Sequence, residues 1–181
     1  MDKNLRRLAT ICMVIVIGIT LLACTDKNKK NKDGAKEEAK DQTPKIGDEV
    51  SFKDSKWVVL KAEDKGTTLR SNNQFQGDAQ TTGKFILVHF KVTNLDKKEQ
   101  RIINTPKLID STGREFKDYD NQAFFIPDGA KTMAVEALPS SLTKEFYAVY
   151  EVPADAKGLR FQTRDLTSVF SPDYKLIDLG F

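Results

Sequence analysis

Residues that carry chemistry are scarce in this chain of 181 residues, which holds one histidine, two cysteines and one tryptophan. With no cluster of cysteine or histidine, no zinc-ligand set can be assembled. Charge of one sign is also lacking. Lysine and arginine number 29 against 26 acidic residues, a formal net charge of +3. Such a balance provides no electrostatic footprint for nucleic acid, so no nucleic-acid partner is expected. Glycine-rich phosphate cradles are missing, because Gly66, Gly77 and Gly83 stand isolated among turn residues. No long helical period occurs, and the one long apolar run, Leu8 to Ala23, has sixteen residues. As a helix it would reach only about 24 Å, short of a hydrocarbon core of roughly 30 Å.

What is present begins with an address. A basic start, "MDKNLRR", precedes the apolar run, the order of a secretory leader. The run ends in Leu21-Leu22-Ala23-Cys24, which resembles the bacterial lipobox, although Leu22 stands where Ser or Ala is commoner. The resemblance implies that residues 1–23 are a cleaved signal peptide and that the Cys24 thiol carries a diacylglyceryl group. The new amino terminus is then open to acylation, for example by palmitate, and two or more chains hold a protein stably at a membrane. The competing reading is an uncleaved membrane helix with a buried cysteine. Cys12 lies in the leader and would be discarded, leaving a mature chain without a disulfide. From Thr25 to Lys45 there are seven lysines and five acids and no aliphatic side chain larger than alanine. Residues 24–45 therefore read as a lipidated cysteine followed by a disordered tether, with a coil span of roughly 25 Å. An alternative role for its lysines is contact with anionic lipid or wall polymer, weakened by the interspersed acids.

From Ile46 onward the patterns are those of strands. "IGDEVSF" alternates Ile46, Val50 and Phe52 with charge, and "KWVVLKA" is a short apolar run around Trp57, read as a core residue. In "GKFILVHFKVTN", Ile86, Val88, Phe90 and Val92 recur every second residue, with His89, Lys91 and Thr93 on the opposite face of a half-buried strand. Asp110-Ser111-Thr112-Gly113 separates two extended runs as a hairpin in which Gly113 takes positive φ. Phe146, Ala148, Tyr150 and Val152 share one face of a strand stopped by Pro153, and "GLRFQTRD" and "YKLIDLGF" supply two more. About seven or eight antiparallel strands predict an all-β, immunoglobulin-like sandwich over residues 46–181.

Four of these segments in order, "IGDEVSF", "GKFILVHFKVTN", "LIDSTGREF" and "FYAVYEVPADAKGLRF", resemble the telokin-like, immunoglobulin-like extracellular domain of bacterial lipoproteins. The likeness runs over roughly residues 45 to 165. It rests on a glycine before a long alternating strand (Gly83 to Asn94), an Asp-x-x-Gly hairpin before an aromatic (Asp110 to Phe116), and a late strand closing on Val152-Pro153. That family has no established function, so it implies a fold and an extracellular address and transfers no catalytic residue.

The catalytic motifs that do occur are incomplete. His89 lies on a strand face without a recognisable partner. Ser141 to Lys144 fits Ser-x-x-Lys spacing, but in a stretch leading into a strand rather than on the helix that would bring the pair together. "DYDN" at Asp118 to Asn121 matches the start of a calcium loop, yet its sixth position is Ala123 and its twelfth Gly129. A carboxylate-rich calcium site elsewhere in the loops stays open as an alternative; no cofactor or metal is expected. Two stretches are candidates for recognition. The polar stretch Glu63 to Lys84 contains Asn72, Asn73, Phe75 and Gln76, a mixture common in binding loops, with a mobile loop or an edge strand pair as its bland reading. The second, Asn121 to Gly129, contains Phe124 and Phe125, which equally suit core packing.

The expectation is a non-enzymatic, lipid-anchored β-sandwich on the outer face of the cell membrane, its Lys- and Asn-rich tether suggesting a Gram-positive bacterium. It would act through loops on an extracellular or cell-surface protein partner. Alternatives are an inhibitor or exclusion factor acting on another surface protein, and a solute- or calcium-binding domain.

Overall fold

The alternating segment around Val88 forms the central strand of a four-stranded sheet, where neighbours on both sides satisfy its backbone. The computed structural model describes residues 42–102, 104–134, 136–166 and 173–181. Leu21, Leu22, Ala23, Cys24 and the following residues to 41 lie outside the described residues.

Ten strands are formed among the described residues: β1 (Glu49–Ser51), β2 (Ser55–Leu69), β3 (Ala79–Asn94), β4 (Gln100–Arg101), β5 (Lys107–Ile109), β6 (Glu115–Phe116), β7 (Ala137–Leu138), β8 (Thr143–Val152), β9 (Arg160–Arg164) and β10 (Tyr174–Asp178). One sheet has the order β1-β2-β3-β8 and the second β10-β9-β5-β6, while β4 and β7 make a small separate pair. All strand pairs are antiparallel. The chain leaves the first sheet after β3, forms β5 and β6 in the second, returns for β8, and ends in the second with β9 and β10. This is an immunoglobulin-like β-sandwich.

Its core forms as the period of two dictates. Trp57, Val59, Ile86, Val88, Phe90, Phe146, Ala148 and Tyr150 from the first sheet join Leu108, Phe161 and Ile177 from the second in one buried cluster. Each such large side chain contributes about 1.5 to 3 kcal/mol by leaving water. Trp57 stacks on Phe90 at 5.9 Å, and Phe90 meets Phe161 across the sandwich at 5.0 Å. The buried Tyr150 hydroxyl donates to the Pro106 carbonyl, 2.9 Å away, tying β8 to the approach of β5. Burial, with the charge of Asp118 as a lesser cause, pushes that phenol's pKa well above its ordinary value.

The predicted Asp110 hairpin is present. Gly113 has φ of +87°, its N–H donates to the Asp110 carbonyl at 3.1 Å, and β5 pairs with β6 on either side. The Asp110 carboxylate organises the turn by accepting from the N–H groups of Thr112 and Arg114, the Thr112 hydroxyl and Arg114 Nε.

The strand number, ten, exceeds the seven or eight read from the sequence, because β4, β6 and β7 are pairs of residues too short to show a period. The polar stretch Glu63 to Lys84 takes up its strand-pair alternative over most of its length, since β2 runs on to Leu69 and β3 begins at Ala79, leaving residues 70–78 as the loop. Register shifts at Val59/Lys61, Asp64/Gly66 and Gly66/Thr68 twist this extension and interrupt the alternation by which a strand is recognised. The half-buried character of β3 also fails over part of its length. Phe85, Ile86, Leu87 and Val88 are all buried, because a second apolar cluster covers the outer face of the sheet. Only His89, Lys91 and Thr93 keep the expected partly exposed face.

Candidate functional site

The cover over that outer face is the segment from Asp118 to Lys131, a strap that lies against the β8 edge and reaches the loop after β2. Tyr119 N–H donates to the Val149 carbonyl at 2.7 Å, and the Lys131 carbonyl accepts from Tyr147 N–H at 2.8 Å. Between them the buried Gln122 side chain substitutes for a strand. Its Oε1 accepts Val149 N–H at 2.9 Å while its Nε2 donates to Asp118 Oδ2 at 2.6 Å. Asn121, a residue tolerant of left-handed backbone, has φ of +58° and leads into a short 3₁₀ turn over Gln122–Phe124.

Beneath the strap Tyr119 meets Phe85 edge-on at 5.3 Å and Phe125 at 5.9 Å. Phe125 is 8% exposed, and Phe124 is partly buried against the same cluster. These two candidate binding residues are therefore packing residues of the strap rather than exposed anchors, as apolar rings beside an uncovered Phe85 and Leu87 must be.

The two recognition segments singled out from the sequence meet. Asn72 N–H donates to the Phe124 carbonyl at 2.8 Å, and its side-chain amide donates to the carbonyls of Ile126 at 2.9 Å and Ala123 at 3.3 Å. Asn72 thus staples the loop of residues 70–78 to the strap. Within the loop Ser71 N–H donates to Asp78 Oδ1 at 3.0 Å, closing its base. Asn73 shapes its tip, where Oδ1 accepts Phe75 N–H at 2.8 Å and the carbonyl accepts Gln76 N–H at 3.0 Å. This braced turn holds Phe75 out at 88% exposure, with the exposed Gln76 beside it. Asn73 was found by its type; Gln122 was not, for a lone glutamine between an asparagine and an alanine carries no signal of strand-edge capping.

Catalytic constellations do not assemble from the other motifs. His89 Nε2 lies 3.0 Å from Glu145 Oε2 and the ring stacks on Tyr147 at 4.2 Å, a partnership on the outer sheet face. Lys144 Nζ donates to Glu136 Oε2 at 2.9 Å and to the Ala137 carbonyl at 2.6 Å, whereas Ser141 Oγ meets Ser140 Oγ at 3.4 Å. The Asp118 carboxylate accepts from Thr105 Oγ1 at 2.9 Å as well as from Gln122. Among the described residues no group of three or more His, Cys, Asp or Glu is arranged to hold a metal ion.

No protein-family model matches the sequence, and no curated protein matches it. Solved structures do resemble the fold. The yjhA protein from Bacillus subtilis is 13% identical with a TM-score of 0.57, over 75% of this chain and 99% of that one. A functionally unknown protein from Listeria monocytogenes is 11% identical with a TM-score of 0.53, over 75% and 83%. A conserved hypothetical protein from Bacillus anthracis is 10% identical with a TM-score of 0.52, over 75% and 95%. At these identities the likeness establishes a common architecture.

Proposed function

We propose that this chain is a lipid-anchored, non-enzymatic interaction module of the telokin-like, immunoglobulin-like kind, displayed outside a bacterial membrane and binding a cell-surface protein through the loop of residues 70–78. The observation that carries the binding surface is the stapled tip. An aromatic side chain at 88% exposure projects from a turn whose backbone Asn72, Asn73 and Ser71 brace. Rigid aromatic anchors of this sort contribute large contact area at small entropic cost. Anchoring is supported by Leu21-Leu22-Ala23-Cys24 after an apolar run of secretory length. The Gly83 strand, the Asp110 hairpin and the close on Val152-Pro153 support the family likeness.

The test places a photoreactive phenylalanine analogue at position 75 of the full chain on intact cells, with position 141 at another loop as control. Position 75 is expected to give one reproducible crosslinked protein that position 141 does not. Equal or absent crosslinking at the two positions rules this surface out. A melting temperature raised by calcium or by a sugar in place of a crosslink would assign the chain to solute binding.

A further inference from the structure

Beside the stapled tip, on the outer face of the first sheet, an open cavity of about 390 Å³ lies between the end of β2 and the strap. Its floor is apolar, made by Leu69, Leu87, Phe125 and Ile126, and its rim carries Lys65 and Arg70 with no acidic residue in the lining. Arg70 is exposed and makes no ion pair among the described residues, while Lys65 Nζ is 3.2 Å from Glu63 Oε2. The strand at this rim is also short of a neighbour. β1 pairs with β2 only from Lys56 to Val58, and among the described residues no strand pairs with that edge farther along. The last register shift of β2 falls between Gly66 and Thr68, after which Thr68 and Leu69 pair regularly with Gln80 and Ala79. A free, regular edge next to an apolar hollow with a cationic rim is complementary to an extended peptide, whose backbone adds to the edge while one side chain fills the hollow.

We propose that the cavity and the end of the β2 edge at Thr68 and Leu69, with Arg70 just beyond it, take a short extended segment of a partner protein in which a carboxylate side chain neighbours an apolar one. The apolar side chain seats on Leu69 and Ile126, the carboxylate pairs with Arg70, and the register shifts upstream limit the ladder to a few residues. This rests on the interaction reading above and names the chemistry of the partner, using a surface separate from the Phe75 ring. Salt screening of the exposed Arg70 makes the affinity depend on ionic strength.

The test uses the full chain in detergent micelles and two fluorescein-labelled octapeptides, one alternating leucine with glutamate and the other leucine with lysine. Fluorescence polarisation is expected to show the glutamate probe binding about tenfold tighter, and Arg70→Glu to abolish or reverse that preference. Amide exchange is expected to slow at residues 68–70 when the glutamate probe is bound. Equal affinity for the two probes, a preference unmoved by Arg70→Glu, or protection confined to another edge overturns the proposal. So does Arg70-dependent binding of phosphatidylglycerol vesicles without discrimination between the peptides, which assigns the cations to a lipid surface. If the probes fail while crosslinking at position 75 persists, only this inference falls; if both fail, the interaction reading falls with it.

Discussion

Gly83 shows how one residue type follows from the path of a neighbouring strand. A Cβ built there would lie well inside van der Waals contact of the Val152 carbonyl oxygen, with Pro153 Cα close behind. The obstacle is the backbone of Val152 and Pro153, so it cannot swing away like the end of a long side chain. Gly83→Ala is expected to lower stability by about 1 to 3 kcal/mol, read as a lower urea midpoint at unchanged slope; an unchanged midpoint would mean that β8 shifts freely at Val152. Asp110 makes the complementary argument from charge. Burial would raise its pKa, but hydrogen bonds from Arg114 and Thr112 overcome that and hold the carboxyl far below its ordinary value of 3.8. Because the folded pKa is the lower one, the charged form contributes stability above about pH 4 that is lost as pH falls through the folded value. Asp110→Asn removes that contribution. The urea midpoints of wild type and variant should therefore differ most near neutrality and converge as pH drops from about 4 toward 2; a gap that stays constant with pH would contradict the linkage.

At the scale of elements, the strap does for β8 what a further strand would do. The Val149 N–H at the sheet edge is buried and has Gln122 Oε1 as its acceptor. Gln122→Leu leaves that donor unsatisfied, a loss of about 1 to 3 kcal/mol. It also uncovers a strand edge, so the variant should show faster amide exchange at Val149 and a greater tendency to associate. Exchange at Val149 as slow as in wild type would show that the rest of the strap holds the edge closed alone. The same contrast explains how much of the fold the sequence discloses. The period of two in Ile86, Val88, Phe90 and Val92, and in Phe146, Ala148 and Tyr150, is a direct image of one buried face. The strap leaves no such image, because its residues bond through irregular backbone and a single glutamine, and its Phe124 and Phe125 read equally well as anchor or filler. Asn72 and Phe75 could be chosen by residue type. That they belong to one site with the strap follows from carbonyls of Ala123, Phe124 and Ile126 about 50 positions away in sequence, as the hydrogen bonds show.

On the scale of the whole chain, the decisive residue is one that strand patterns cannot address. The sandwich engages the chain from Pro44 and Lys45 onward: Asp178 N–H donates to the Pro44 carbonyl at 2.7 Å, and Lys45 bridges to Asp178. Everything earlier is argued from composition and from Leu21-Leu22-Ala23-Cys24. An uncleaved membrane helix and a lipidated mature terminus both place the protein in the membrane fraction, so fractionation alone does not separate them. Thiol count does, since the chain has two cysteines, Cys12 and Cys24. In the lipidated reading, cleavage would discard the first and thioether formation would consume the second. Denatured wild-type protein from membranes is therefore expected to take up no maleimide and to show, by intact mass, a chain beginning at Cys24 with a diacylglyceryl increment. Cys24→Ala removes the acceptor thiol and should accumulate as the uncut precursor near 20.4 kDa. Two reactive thiols in the wild-type protein, or a mature Cys24 without lipid, would instead favour the uncleaved helix or simple secretion, because one thiol cannot be both acylated and free.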